Sequence, residues 1–105
     1  MANGRLGVAD LAATTDTSIY IVPATLIASV TVSIVNRNAS AATIRLAIVD
    51  GAVGALANED YIEYDVNVPA NGILERTGIV MSTAENIVVR SSLANVSVRV
   101  HGFEE

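Results

Sequence analysis

The chain has 105 residues, no cysteine and a formal net charge of -5. That length can bury one hydrophobic core but not two, and the lack of cysteine excludes a disulfide framework and a thiolate metal site. All six cations are arginines, scattered as Arg5, Arg37, Arg45, Arg76, Arg90 and Arg99. A nucleic-acid partner is not expected, because tracking phosphates needs clustered cations to release counterions.

Apolar residues make up 51% of the chain and the mean hydropathy is +0.49, both high for a small domain. No run approaches the roughly 18 to 20 apolar residues of a membrane helix, so no membrane partner is expected. Nor do the first residues form a continuous apolar stretch after Arg5, since Asp10 and Asp16 interrupt them; export by this sequence is not expected. The apolar surplus points to a subunit interface instead.

In chain order, residues 1–17 show neither helical nor strand period and mix Gly4 and Gly7 with Leu6, Val8 and Leu11. They read as an N-terminal arm, laid over its own domain or handed to a neighbour. Ser18 to Val22 reads as a short strand stopped by Pro23. The next stretch, Leu26 to Arg37, holds the longest uninterrupted alternation: Leu26, Ala28, Val30, Val32 and Ile34 on one side, and Ile27, Ser29, Thr31, Ser33 and Val35 on the other. A period of two means a pleated strand with one greasy face.

After the polar break at residues 36–42, Ile44, Leu46 and Ile48 alternate with Thr43, Arg45 and Ala47, a strand that pairs most simply as a hairpin with the one before it. Residues 50–60 form a loop with two glycines and the carboxylates Asp50, Glu59 and Asp60. Alternation returns from Tyr61 to Val68, and the Pro69-Ala70-Asn71-Gly72 turn ends it, Asn-Gly tolerating positive φ. Between Ile73 and Met81 the apolar residues switch faces, with Gly78 as the candidate bulge. Short strands follow at Ile87 to Ser91 and from Val96, and Glu104-Glu105 is expected in solvent. About seven short strands with turn signals between them predict an all-β, antiparallel β-sandwich, immunoglobulin-like or jelly-roll-like, over residues 18–105 behind an arm at 1–17.

Chemistry-bearing residues are few. His101 is the only histidine and has no second imidazole or thiolate to build a transition-metal site with. Asn58, Glu59 and Asp60 offer oxygen ligands side by side but lack the alternating spacing of a calcium loop. Gly51 and Gly54 belong to no phosphate-binding pattern. Glu59, Asp60, Glu63, Asp65, Glu75 and Glu85 could supply a carboxylate pair, yet outward Glu63 and Asp65 near outward Arg45, Arg90 and Arg99 are explained by cross-strand ion pairs. Asn38-Ala39-Ser40 and Asn95-Val96-Ser97 match the short N-glycosylation pattern, which arises easily by chance. No nucleophile elbow is present. Catalytic residues, cofactors and metals are therefore expected to be none, and the chain is read as not an enzyme.

The segments Gly4-Arg5-Leu6-Gly7, Tyr20-Ile21-Val22-Pro23-Ala24, Val35-Asn36-Arg37-Asn38, Tyr61-Ile62-Glu63-Tyr64-Asp65, Leu74-Glu75-Arg76-Thr77-Gly78 and the ending VSVRVHGFEE together resemble small virion proteins of tailed bacteriophages, particularly those infecting cyanobacteria. The resemblance spans nearly the whole chain and its motifs are structural. It implies a β-sandwich without cofactor or catalysis, located in the virion after assembly in the host cytoplasm. The role it implies is a capsid cement or decoration protein bound to the major capsid protein or another virion protein. A tail, baseplate or fibre accessory subunit is the alternative, and a carbohydrate- or receptor-binding sandwich is a third reading, although exposed aromatics for stacking on sugars are few. A homo-oligomer is expected from the apolar residues left on outer faces (Ile27, Val35, Ala47, Val49 and Val88), and shell proteins at local threefold positions make a trimer the favoured form. Leu6, Val8 and Leu11 of the arm, with Val35 and Val49, are the expected interface residues.

Overall fold

The computed structural model describes residues 2–105. Its eight strands are β1 (Asn3–Leu11), β2 (Thr17–Ile21), β3 (Ala28–Asn36), β4 (Ala42–Asp50), β5 (Tyr61–Val68), β6 (Ile73–Met81), β7 (Glu85–Ser91) and β8 (Val96–Glu104). They form two four-stranded sheets, ordered β1-β8-β3-β6 (sheet I) and β2-β7-β4-β5 (sheet II). Every strand pair is antiparallel. The first strand pairs with the last, the second with the second to last, and so inward to β4 with β5. This wrapped ribbon is the double Greek key of a jelly roll, so topology decides between the two sandwich types the alternation permitted.

Strand β3 shows why these residues make this fold. Ala28, Val30, Val32, Ile34 and Asn36 are buried, while Ser29, Thr31, Ser33 and Val35 point away from the core. Val96, Val98 and Val100 of neighbouring β8 extend the buried side, and Ile44 and Leu46 from β4 and Ile87 and Val89 from β7 of the other sheet complete the core with them. Each fully buried aliphatic side chain contributes roughly 1.5 to 3 kcal/mol relative to exposure. Tyr20 is the only aromatic side chain in this core, so small and β-branched side chains fill a thin layer.

Three expectations are corrected. Residues 1–17 are not an arm outside the sandwich: Asn3–Leu11 pairs along β8 from Asn3↔Phe103 to Leu11↔Val96. The division into 1–17 and 18–105 therefore gives way to one sandwich. The strand escaped its period because a bulge between Arg5 and Gly7 throws Leu6 out of alternation. Gly7 is required there, since a Cβ would lie 2.3 Å from the Ile19 carbonyl oxygen of β2.

Second, β3 and β4 do not form a hairpin; β3 lies between β8 and β6, and β4 between β7 and β5. The connection crosses from one sheet to the other around Asn36, which is fully buried. Its amide nitrogen lies within 2.9 to 3.2 Å of the carbonyls of Ser40, Val68 and Pro69, and its oxygen accepts from the backbone and side-chain nitrogens of Asn38. A buried amide satisfied on both sides holds the crossing in place.

Third, Val49 is not an outer-face interface residue. The β4–β5 loop folds back over sheet II through two short 3-10 turns at Val53–Ala55 and Asn58–Asp60. Its Val53 and Leu56, with Tyr61, cover Ala47, Val49 and Val88 as a second small core. The chain thus buries with its own loop three of the five residues that suggested an oligomer.

All four edge strands, β1, β2, β5 and β6, carry register breaks. On β6 the break sets Thr77 and Gly78 opposite Thr31, with Gly78 at φ +71°, which places the bulge at the expected glycine. Bulges twist an edge away from flat pairing with another chain. Sheet continuation is therefore disfavoured on either side of either sheet, and contacts with other molecules fall to the faces.

Candidate functional site

One face of the sandwich is left without cover: the outer face of sheet I. Reading the register across β1, β8, β3 and β6, its outward residues form cross-strand rows. The first is Asn3, Phe103, Ser29 and Val80; the next joins Arg5 to His101 and Thr31; then come Val8, Arg99, Ser33 and Glu75; the last is Asp10, Ser97, Val35 and Ile73. The β1 edge ends in polar Asn3 and Asp10, the β6 edge in apolar Val80 and Ile73, and Arg5, His101, Thr31, Arg99, Ser33 and Glu75 lie between. Val80 (74%), Ile73 (67%), Phe103 (61%) and Val8 (55%) rank among the most exposed large apolar residues. With half-exposed Ile27 at the end of β3, Val80 and Phe103 line one shallow hollow. Val8, Ser33, Val35, Ser97 and Arg99 line a wider one at the opposite end.

Of the five expected interface residues, the structure brings only Val8 and Val35 together, in that second hollow. Leu6 is half-buried against the core, and Leu11 is buried within it. Val49 lies under the β4–β5 loop.

The arginines divide into two groups. Arg37 pairs with Asp10, Arg45 with Asp65, Arg76 with Glu63 and Arg90 with Asp16. Arg5 and Arg99 have no carboxylate within ion-pair distance among the described residues. Both lie on the uncovered face of sheet I, one row apart. The Arg76–Glu63 pair has a different function from the cross-strand role expected of Glu63: it bridges β6 of sheet I to β5 of sheet II at 2.7 Å and closes that rim of the sandwich.

The remaining candidates resolve into structural roles. His101 sits between Arg5 and Thr31 in register, half-buried, with its Nδ1 sheltered and without a hydrogen-bond partner. Asn58, Glu59 and Asp60 form a turn in which Asp60 accepts the Ala57 backbone N–H at 2.8 Å. Glu85 likewise accepts from the Ser82 backbone N–H. Gly51 and Gly54 belong to the loop over sheet II. Asn38 donates to the Ala94 carbonyl at 2.7 Å, which ties its amide into the fold. No cluster of three or more potential metal ligands occurs among the described residues, and no helix is long and apolar enough to cross a membrane.

A polar hollow on the outer face of sheet II is lined by Thr14, Thr43, Arg45, Asp65, Arg90 and Ser92. Arg45 and Arg90 face each other directly in register, and their repulsion is offset by the carboxylates of Asp65 and Asp16. The Arg45 guanidinium beside Asp65 holds that carboxyl below the usual aspartate range, against the opposing effect of burial. Arg45 also lies 4.3 Å over the ring of Tyr64, which meets Tyr61 edge to face. One face of the ring a sugar would stack on is thus taken by a cation.

Asn36, Asn86, Ser91 and Glu104 are buried polar residues that the sequence did not announce, and two of them tie distant segments together. One is Asn36. The other is Glu104, expected in solvent but buried: it accepts from the Tyr20 hydroxyl at 2.5 Å and from the Ala2 backbone N–H at 2.8 Å. Those two hydrogen bonds hold its carboxyl below the usual glutamate range, while burial acts the other way. Burial, and then the neighbouring carboxylate, push the Tyr20 phenol well above its ordinary value. No local pattern marks either residue, because the partners of Glu104 and two of those of Asn36, Val68 and Pro69, lie far along the chain.

Comparisons with family models, with curated proteins and with solved structures give no match for this chain.

Proposed function

We propose that this protein is a non-enzymatic structural subunit that docks through the outer face of sheet I onto a larger protein assembly. The assembly best fitting the sequence resemblance is a tailed-phage head, with the chain as a cement or decoration protein on its major capsid protein. The observation that carries the reading is the contrast between two faces of one sandwich. Sheet II is half covered by its own loop, whereas sheet I exposes Val8, Ile73, Val80 and Phe103 with nothing among the described residues over them. Apolar residues spread across one sheet face in this way favour burial against a partner surface. The jelly-roll topology adds support by analogy only, since viral capsid and lectin domains both use it. Two of the residues that motivated an oligomer remain on outer faces, Ile27 and Val35, so self-association rests on this same face; a trimer rests on the resemblance.

The test is co-sedimentation of the purified chain with head shells stripped of their surface proteins. Saturable binding that is lost in Val80→Asp and Phe103→Asp variants of unchanged melting temperature is the expected result. A chain that stays in the supernatant and instead binds defined glycans on an array overturns the reading in favour of a carbohydrate-binding module.

A further inference from the structure

We propose that the Val8–Val35 end of the uncovered face of sheet I receives the acidic β4–β5 loop of a second copy of this chain, with Arg5 and Arg99 meeting Asp50 and Glu59 head to tail and the Val80–Phe103 end left to the larger assembly. The proposal rests on the reading of the chain as an assembly subunit and names the contact by which copies join.

The fold leaves several charges without partners. Four arginines are neutralised within the chain, and the two that are not, Arg5 and Arg99, are exposed on adjacent rows of one face. On the other side of the sandwich, residues 50–60 contain three carboxylates and no cation. Asp60 is occupied with the Ala57 N–H. Asp50 and Glu59 are exposed and form no ion pair among the described residues, and Asp50 stands directly opposite Glu85 in the β4–β7 register. Like charges side by side are unfavourable until a cation comes between them. Glu75, exposed and unpaired in the row of Arg99 on the same face, offsets part of this charge, but Arg5 and Arg99 still outnumber it, and Asp50 and Glu59 have no cation.

Shape agrees with charge. The outward residues of the loop include Ala52, Gly54 and Ala55, all exposed and small, so its backbone can approach the hollow formed by Val8 and Val35 closely. The competing arrangements are weaker. Edge-to-edge pairing is opposed by bulges on all four edge strands. Stacking sheet I on sheet I would bring four unpaired arginines against only two unpaired carboxylates, the Glu75 of each copy. A polyanion such as nucleic acid would meet two arginines on a chain of net charge -5, too few to release many counterions. A head-to-tail contact is heterologous, so it closes into a ring or continues as a filament according to the rotation between copies.

The test uses four exposed residues, so folding is preserved and is checked by thermal melting. Sedimentation velocity of the full chain should show concentration-dependent association at low ionic strength that weakens about tenfold or more in about 0.5 M salt. The Arg5→Glu/Arg99→Glu chain and the Asp50→Arg/Glu59→Arg chain should each be monomeric. Mixed in equal amounts, they should co-assemble with the two chains alternating, because the sheet face of each is then opposite in charge to the loop of the other. Association that survives either double reversal, a mixture that stays monomeric, or a wild-type chain monomeric at low salt overturns the contact. A monomer that still co-sediments with shells overturns this contact alone and leaves the proposed function standing. A self-associating chain that ignores shells does the opposite.

Discussion

The Tyr20 hydroxyl donates to a Glu104 carboxylate oxygen at 2.5 Å, joining β2 of sheet II to β8 of sheet I within the buried end of the sandwich. The second oxygen of Glu104 accepts the backbone N–H of Ala2, just ahead of β1. One carboxylate therefore ties both sheets and the start of the chain together. The hydrogen bonds to the charged form depress the Glu104 pKa, and burial beside that charge raises the Tyr20 pKa.

Stability should fall at both ends of the pH scale for this one reason. A depressed carboxyl pKa stabilises the fold above the unfolded-state value, and that contribution is lost as pH falls through the folded value. A raised phenol pKa contributes fully below its unfolded value and is lost as pH rises above the ordinary tyrosine range. Melting temperature measured against pH should show that Glu104→Gln flattens the acid flank and Tyr20→Phe the alkaline one. Flanks identical to wild type in both variants would show that other groups govern the pH dependence.

Val35 and Val49 both lie on outward faces of their strands, yet they should respond oppositely to the same change. Val49 is covered by the β4–β5 loop, and Val49→Asp buries a charge with no partner, which should destabilise by about 4 kcal/mol or more. Val35 borders the open hollow of sheet I, and Val35→Asp should shift stability by about 1 kcal/mol or less. Urea midpoints decide the matter, and equal losses would mean that the loop does not seal sheet II.

Gly7 should tolerate no side chain. A Cβ there would meet the Ile19 carbonyl oxygen at 2.3 Å, a backbone atom that cannot swing aside. Gly7→Ala should cost roughly 1 to 3 kcal/mol by forcing β1 away from β2. Hydrogen exchange should then show lost protection in residues 3–11 first; unchanged protection there would show that β1 is not held against β2.

Asn36→Leu keeps the volume of the buried side chain but leaves the carbonyls of Ser40, Val68 and Pro69 without its amide. A loss of roughly 2 to 4 kcal/mol is expected from those orphaned groups together. Ile34→Ala, a cavity in the same strand, should cost about 2 to 5 kcal/mol. Denaturant midpoints for both give the comparison, and an Asn36→Leu chain as stable as wild type would show that the crossing between sheets does not depend on the amide.

The alternation in Ala28–Asn36, Ala42–Asp50 and Val96–Glu104 determined by itself that this is an all-β sandwich with an aliphatic core. A side chain's direction on a strand follows from its position modulo two, a purely local property. Gly78 likewise announced its bulge, because only backbone freedom at that position was needed. Tertiary structure alone decided the rest. Strand β1 became visible only through its pairing with β8, since the Leu6 bulge erases the period that would have marked it. The burial of Val49 depends on a loop that folds back over it, and that of Glu104 on Tyr20, 84 residues away. The uncovered face was equally out of reach: which arginines go unpaired depends on which carboxylates the wrapped ribbon brings beside them, and strand order is a property of the whole chain.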